Sequence, residues 1–239
     1  MRFETPAPGD RSFQAASIHV ETEAADKKSP VILDQAASRA IEWTAESIAD
    51  GGVVAIPTDT VYGIAASLAH LPSIERIYDI KGRPPGQPLP VLVSSVAALS
   101  HLAHVDDAVL PLLDAFWPGP LTVVLPAATR LPEPVLGPGN SVGVRLPNHF
   151  VAIEVIEKAG GAIACTSANR SGHPPAKTAT EVMESLGPDL DLILDGGVAP
   201  GGVASTVVAI DDLSLRFIRE GAISMVDVIR IWDEVVSNA

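Results

Sequence analysis

Short apolar runs bounded by Gly and Pro alternate along this chain with stretches whose apolar residues recur three and four apart. The first pattern predicts buried strands, the second helices that cover them. Asp34 is placed to cap a helix with apolar positions Ala37, Ala40, Ile41, Thr44 and Ile48, stopped by Gly51-Gly52. Val53 to Ile56 reads as a buried strand that delivers Thr58, Asp59, Thr60 and Tyr62 into a turn closed by Gly63. Pro72 suits the first turn of a short helix carrying Ile74, Ile77 and Tyr78. Further strands are predicted over Val91 to Val93, Leu121 to Leu125, Val142 to Leu146, Ala162 to Cys165, Leu192 to Leu194, Ser205 to Ile210 and Leu215 to Arg219. Helical pieces fall from Ser95 to Leu102 and from Asp106 to Phe116, with another capped by Asn148 and stopped by Gly160-Gly161. Thr178 and Glu181 have capping-box spacing, and Ser224 caps an amphipathic closing helix through Val236. Strands and helices alternating in this way predict an α/β fold built on a twisted mixed sheet.

The first thirty residues break the pattern. They lack periodicity and mix Pro, Ser, Thr and both charges, so residues 1–30 are expected to be a loosely ordered extension and 31–239 the folded domain. That N-terminus is polar and carries acids, unlike a secretory or transit signal, and no apolar run approaches the roughly twenty residues of a membrane span. The single Cys165 rules out an internal disulfide and fits a reducing, cytoplasmic setting.

Charge sharpens the picture. The chain of 239 residues carries a net charge of -13, which argues against a general nucleic-acid coat. Yet no carboxylate occurs between Asp79 and Asp106, where Lys81 and Arg83 lie. None occurs between Glu157 and Glu181 either, a stretch that holds Lys158, Arg170 and Lys177. An acidic chain that keeps acids out of two loops is expected to place an anion there.

Several chemistries lack their signature. There is no Gly-rich phosphate loop of either standard spacing, and one Cys with six scattered His suggests no metal cluster. Ser167 sits in T-S-A-N rather than a nucleophile elbow, and Cys165 ends an apolar run as a core thiol does. His149 and His173 read as surface or hydrogen-bonding histidines. What remains is a set of polar loops at strand ends: TDTVYG, KGR, WPGPLT, VRLP, TSANRSG and GGVASTVV. In an open α/β sheet such loops converge on one crevice. Hydroxyls at a strand end facing a Lys-Gly-Arg loop suit an anionic ligand with polar edges.

PTDTVYGIAAS, IYDIKGRPPGQPLPVLV, FWPGPLTVVL, VGVRLPNH, TSANRSGHPPA and STVV followed by IREGAIS resemble, in order, the YrdC-like threonylcarbamoyl-AMP synthases. The resemblance covers about Asp34 to Ser224. It implies a twisted mixed sheet with flanking helices and a positively charged concave cleft. The activity it implies is formation of L-threonylcarbamoyladenylate and pyrophosphate from L-threonine, bicarbonate and ATP. That product feeds the tRNA threonylcarbamoyl transferase machinery, with at most a weak tRNA contact, and magnesium is expected to be held mainly by ATP phosphates.

Carried over by motif, the charged and polar quartet falls on Lys81, Arg83, Ser167 and Asn169, as catalytic and nucleotide-binding residues. Thr60, Arg145 and Ser205 match threonine or carbamate contacts, and Thr122 and Arg219 match positions near the nucleotide. Three departures stand out. Glu220 replaces a proline that often follows the arginine, Leu92 replaces a histidine of some members, and the extra domain of some members is absent. A second reading from another class is a module of the same fold that binds RNA or a nucleotide without making the adenylate.

Overall fold

The computed structural model describes residues 29–211 and 214–238; the expected extension lies outside them up to residue 28. The chain runs β1 (Val31–Asp34), α1 (Ala40–Ala49), β2 (Val54–Ile56), β3 (Gly63–Ser67), α2 (Leu71–Lys81), β4 (Val91–Val93) and α3 (Val96–Leu99). It continues with α4 (Leu110–Phe116), β5 (Leu121–Pro126), β6 (Leu136–Gly137), β7 (Ser141–Arg145), α5 (Phe150–Lys158), β8 (Ala162–Ser167) and α6 (Ala179–Leu186). β9 (Leu192–Asp195), β10 (Thr206–Asp211), β11 (Ser214–Arg219) and α7 (Met225–Asn238) complete it.

All the described strands form one mixed sheet in the order β1-β9-β2-β3-β8-β4-β7-β5-β10-β11, with β6 beside β7. β1/β9, β2/β9, β4/β7 and β5/β10 are parallel, and the other pairs are antiparallel. The mixed α/β class is therefore as the element pattern implies. Among the described residues no helix is long and apolar enough to cross a membrane.

Strand periodicity of two divides the core between the faces of the sheet. On one face Val53, Ala55, Ile64, Val91, Val123 and Val144 pack with Ile74 and Ile77 of α2, Leu112 and Leu113 of α4, Val182 of α6 and Trp232 of α7. On the other, Val54, Ile56, Ile163 and Leu194 pack with Ala40 and Ile48 of α1 and Val155 and Ile156 of α5. Burying each such Val, Leu or Ile contributes about 1.5–3 kcal/mol. The second core ends near β4. Beyond it, over β7, β5, β10 and β11, no helix among the described residues covers that face, and this area becomes the floor of a cleft.

Local structure departs from the sequence pattern at named points. Asp34 ends β1, and its Oδ1 accepts the Ala36 N–H at 2.8 Å instead of capping α1. α1 starts six residues later behind Arg39, which makes no side-chain cap bond. β1, β3 and β6 are strands that the pattern did not announce. β3 is small and glycine-led, and it is made a strand by pairing with β2 and β8 on both edges. Thr178 Oγ1 accepts the Glu181 N–H at 3.2 Å as expected, but Glu181 returns its carboxylate to Lys177 N at 2.6 Å.

His149, not Asn148, caps α5, with Nδ1 accepting the Ala152 N–H. Burial lowers the His149 pKa from 6.5, and Asp59 only partly opposes this. A neutral ring is also what an accepting Nδ1 requires. The unfolded chain therefore takes up this proton before the folded one does, and stability present above pH 6.5 is lost as pH falls below it. We expect His149→Asn to keep the cap and flatten the dependence between pH 6.5 and 5. The variant should gain on the parent as pH falls below 6.5, read from urea midpoints.

Candidate functional site

The uncovered part of the sheet floors a cavity of about 580 Å³. Register places the floor in rows. Arg219 of β11 stands opposite Val207, and Val207 opposite Thr122. Arg145 follows Val144, the partner of Val123, so it continues the row on β7. At about 4.8 Å per strand, Arg145 and Arg219 anchor opposite sides about 14 Å apart along the backbone. The adjacent row is Gly143, Val124, Ala209 and Arg216, with little side-chain bulk at its centre.

Arg145 is 6% exposed. Its Nη2 pairs with Asp59 Oδ1 at 2.5 Å, Nη1 donates to Thr60 Oγ1 at 3.0 Å and Nε donates to Gly119 O at 2.9 Å. Burial pulls its pKa down and Asp59 opposes the shift. Two guanidinium N–H groups stay uncommitted for the cavity. The hydroxyls beside it are oriented. Thr58 Oγ1 donates to Val61 O at 2.6 Å, so at 3.0 Å it accepts from Thr60 Oγ1. Thr60 therefore offers the cavity a lone pair, which suits an amine or hydroxyl donor.

Lys81 ends α2, and Gly82 takes the left-handed φ of 57° that turns the chain into the KGR loop. The Lys81 ammonium does not line the cavity. Its three hydrogens go to Ser167 O at 2.5 Å, Asn169 O at 2.8 Å and Asn169 Oδ1 at 3.1 Å. Burial, with the charge of Arg83 behind it, lowers its pKa to about 8. Asn169 lies behind the wall as well, its Nδ2 held by the carbonyls of Arg170 and His173. Ser167 Oγ donates to Asn169 Oδ1 at 2.6 Å and turns its lone pairs to the cavity. Lys81 and Asn169 thus shape the loop that presents Ser167.

Arg83 is half-buried at the rim, with Nε on Gln87 O at 3.0 Å and Nη2 on Pro88 O at 3.2 Å. Across the cavity Arg219 Nη2 donates to Ser205 O at 2.8 Å. Burial lowers the pKa of Arg219, and the positive charge of Arg83 lowers it further. Ser205 Oγ and Thr122 Oγ1 share a hydrogen bond of 2.8 Å. A Cβ on Gly221 would collide with Ala204 O, so only glycine lets the chain after Arg219 pass Ser205. Glu220 turns away from the cavity and accepts the Met225 N–H at the start of α7. Leu92 is 4% exposed and adds an apolar patch to the floor.

Of the residues singled out by motif, Thr60, Arg83, Thr122, Arg145, Ser167, Ser205 and Arg219 line the cavity, while Lys81 and Asn169 stand behind it. Three further residues matter to which the sequence motifs assign no role. Tyr62 Oη donates to Gly197 O at 2.8 Å and accepts the Gly196 N–H at 2.9 Å, tying down the loop before Ser205. Asp59 lay in the quoted TDTVYG motif, whereas Arg216 carried no signal. Cys165 also faces the cavity, but burial pushes its thiol up to about 12, so it stays protonated. Among the described residues no three His, Cys, Asp or Glu gather as metal ligands. Among the described residues no carboxylate lines the cavity, so these side chains do not form a resident cage for magnesium.

A family model for Sua5, YciO and YrdC proteins, described as telomere recombination, matches residues 46–221. The threonylcarbamoyl-AMP synthase of Pyrococcus abyssi is 35% identical over 81% of this chain, and the match spans 58% of that longer protein. The synthase of the same name from Alkalilimnicola ehrlichii is 40% identical over 68% of this chain and 84% of its own length. Among solved structures, Pyrococcus abyssi Sua5 complexed with L-threonine superposes with a TM-score of 0.79 at 33% identity, covering 85% of this chain and 61% of that one. Sequence and fold agree in these matches: the chain belongs to the Sua5/YciO/YrdC family.

Proposed function

We propose that the protein is an L-threonylcarbamoyladenylate synthase, joining L-threonine, bicarbonate and ATP with release of pyrophosphate. The observation that carries this reading is the charge arrangement of the cavity. Arg83 and Arg219 face it with backbone carbonyls as their hydrogen-bond acceptors, and among the described residues no carboxylate lines it. Such a site favours a polyanion. The lone pair offered by Thr60 and the two uncommitted Arg145 N–H groups suit an amino acid, as amine acceptor and carboxylate donor respectively. Relatives named for this synthase, and a related structure holding L-threonine, support the same reading.

The chemistry asks little of a general base. The threonine amine attacks carbon dioxide in equilibrium with bicarbonate and sheds a proton, leaving an anionic carbamate. A carbamate oxygen then attacks the α-phosphorus, and the bond to the β-phosphate bridging oxygen breaks as pyrophosphate leaves with its electrons. Arg145 and Thr60 would hold the amino acid while Arg83, Arg219 and the Ser167 loop stabilise the phosphate oxygens. Proximity and preorganised charge are then the main catalytic terms. Magnesium would reach the cavity on the triphosphate oxygens, and no step is assigned to it. The product would pass to the cytoplasmic machinery that modifies tRNA.

Purified protein should release pyrophosphate from ATP only when threonine and bicarbonate are both present; equal release without threonine would refute the synthase. Lys81 and Arg83 should separate by mechanism. Arg83→Ala is expected to hold stability within about 1 kcal/mol of the parent. Its kcat/KM should fall tenfold to more than a hundredfold, the equivalent of about 1.5–3 kcal/mol of charge-assisted bonding. Lys81→Met removes three buried charge-assisted hydrogen bonds and should lose about 1.5–3 kcal/mol of stability along with activity. Denaturant melts and steady-state kinetics on both variants read the difference.

A further inference from the structure

β11 breaks the alternation of a regular strand. Arg216 and Arg219 are three residues apart, which in an uninterrupted strand sets them on opposite faces. The β10–β11 ladder slips at Val207/Val208, with Val207 opposite Arg219, Val208 opposite Phe217 and Ala209 opposite Arg216. Ile218 is the extra residue of this bulge, and it returns Arg219 to the face that Arg216 already occupies. Leu215 and Phe217 pack on the core, while Arg216, Ile218 and Arg219 line the cavity.

The cavity arginines differ in what satisfies them. Arg145 has Asp59, Arg83 has the Gln87 and Pro88 carbonyls, and Arg219 has the Ser205 carbonyl. Among the described residues no hydrogen bond or ion pair engages Arg216. Its row of the floor is Gly143, Val124 and Ala209, so nothing larger than a valine stands between it and the centre. Among the described residues no carboxylate lines the cavity, so an incoming anion would meet the charge of this exposed guanidinium uncancelled. Arg83 and Arg219 already repel one another across the same space, and a bound polyanion relieves that as well.

We propose that Arg216 is a further phosphate contact of the nucleotide site, holding the outer phosphates of the triphosphate together with Arg83 and Arg219. This deepens the nucleotide reading above and rests on it. The bulge is the device that lets one edge strand supply two guanidiniums to one ligand.

The test is direct binding to the full chain by calorimetry, with tripolyphosphate, ATP and adenosine as separate probes. Arg216→Ala should weaken tripolyphosphate and ATP by a similar factor, about three- to tenfold at low ionic strength, and leave adenosine unchanged. The difference should shrink as salt rises, because the contact is exposed. Arg216→Lys should recover part of the loss, keeping the charge without the planar fork. In turnover the KM for ATP should rise with that for threonine unchanged, and thermal melts should overlay the parent. Wild-type affinity for tripolyphosphate in Arg216→Ala overturns the proposal. An equal loss for adenosine also overturns it, by showing that Arg216 stacks on the base, and so does a parent protein that does not bind tripolyphosphate. A parent that binds tripolyphosphate but releases no pyrophosphate with threonine and bicarbonate would refute the synthase and leave the Arg216 contact standing.

Discussion

The buried Arg145–Asp59 pair ties three distant segments of the chain together at the cavity. Its guanidinium joins the end of β7, the turn after β2 and the carbonyl of Gly119 in the turn after α4. Burying a guanidinium and a carboxylate costs several kcal/mol per ion, and mutual attraction offsets this only when the remaining hydrogen bonds are also met. Here they are met on the protein side by Thr60 and Gly119, with two N–H groups left for the cavity. The pair is therefore better read as a device for orientation than as a source of net stability. It fixes where a ligand is gripped, and it sets the direction of the hydroxyl chain through Thr60 and Thr58.

A second principle governs the other cations. Arg83, Arg219 and Lys81 hydrogen-bond to carbonyl oxygens, and among the described residues no carboxylate accepts from them. A carbonyl orients a cation through its dipole without cancelling the charge, so the positive field survives for the ligand. Carboxylate partners would hold the same side chains more strongly and would neutralise the site. The chain makes the distinction visibly: Asp59 neutralises the deep Arg145, and carbonyls hold the rim. Lys81 belongs with the scaffold, since all its hydrogens shape the Ser167–Asn169 loop.

Much of this was legible in sequence, for identifiable reasons. Val53 to Ile56, Leu121 to Leu125 and Ala162 to Cys165 are apolar runs stopped by turn residues, and each is a strand. The acid-free stretches marked both loops that carry the Lys81, Arg83, Ser167 and Asn169 cluster. What escaped notice depends on partners distant in sequence. β3 is Gly-Ile-Ala-Ala-Ser, weak in β propensity, and it is a strand because β2 and β8 flank it. Asp34 carries a capping residue's chemistry, but pairing with β9 claims it for β1. Arg216 was hidden by a bulge, since period-two counting assigns it and Arg219 to different faces. The division between Lys81 and Arg83, two residues apart, is set by Gly82 in the left-handed region, which turns one side chain inward and leaves the other at the rim.

The overall charge then takes on a mechanical meaning. The chain carries a net charge of -13, yet among the described residues the cavity lining holds arginines and no acid. At physiological ionic strength the field of an exposed charge decays over about 8 Å. A small anion that reaches the mouth of the cavity therefore meets mainly the local arginines, within a low-dielectric wall that strengthens them. Under the proposed function, this arrangement would admit a small anion to the floor in preference to an extended nucleic acid. That discrimination comes from where the acids are withheld, around residues 80–105 and 158–180, and the total charge alone does not reveal it.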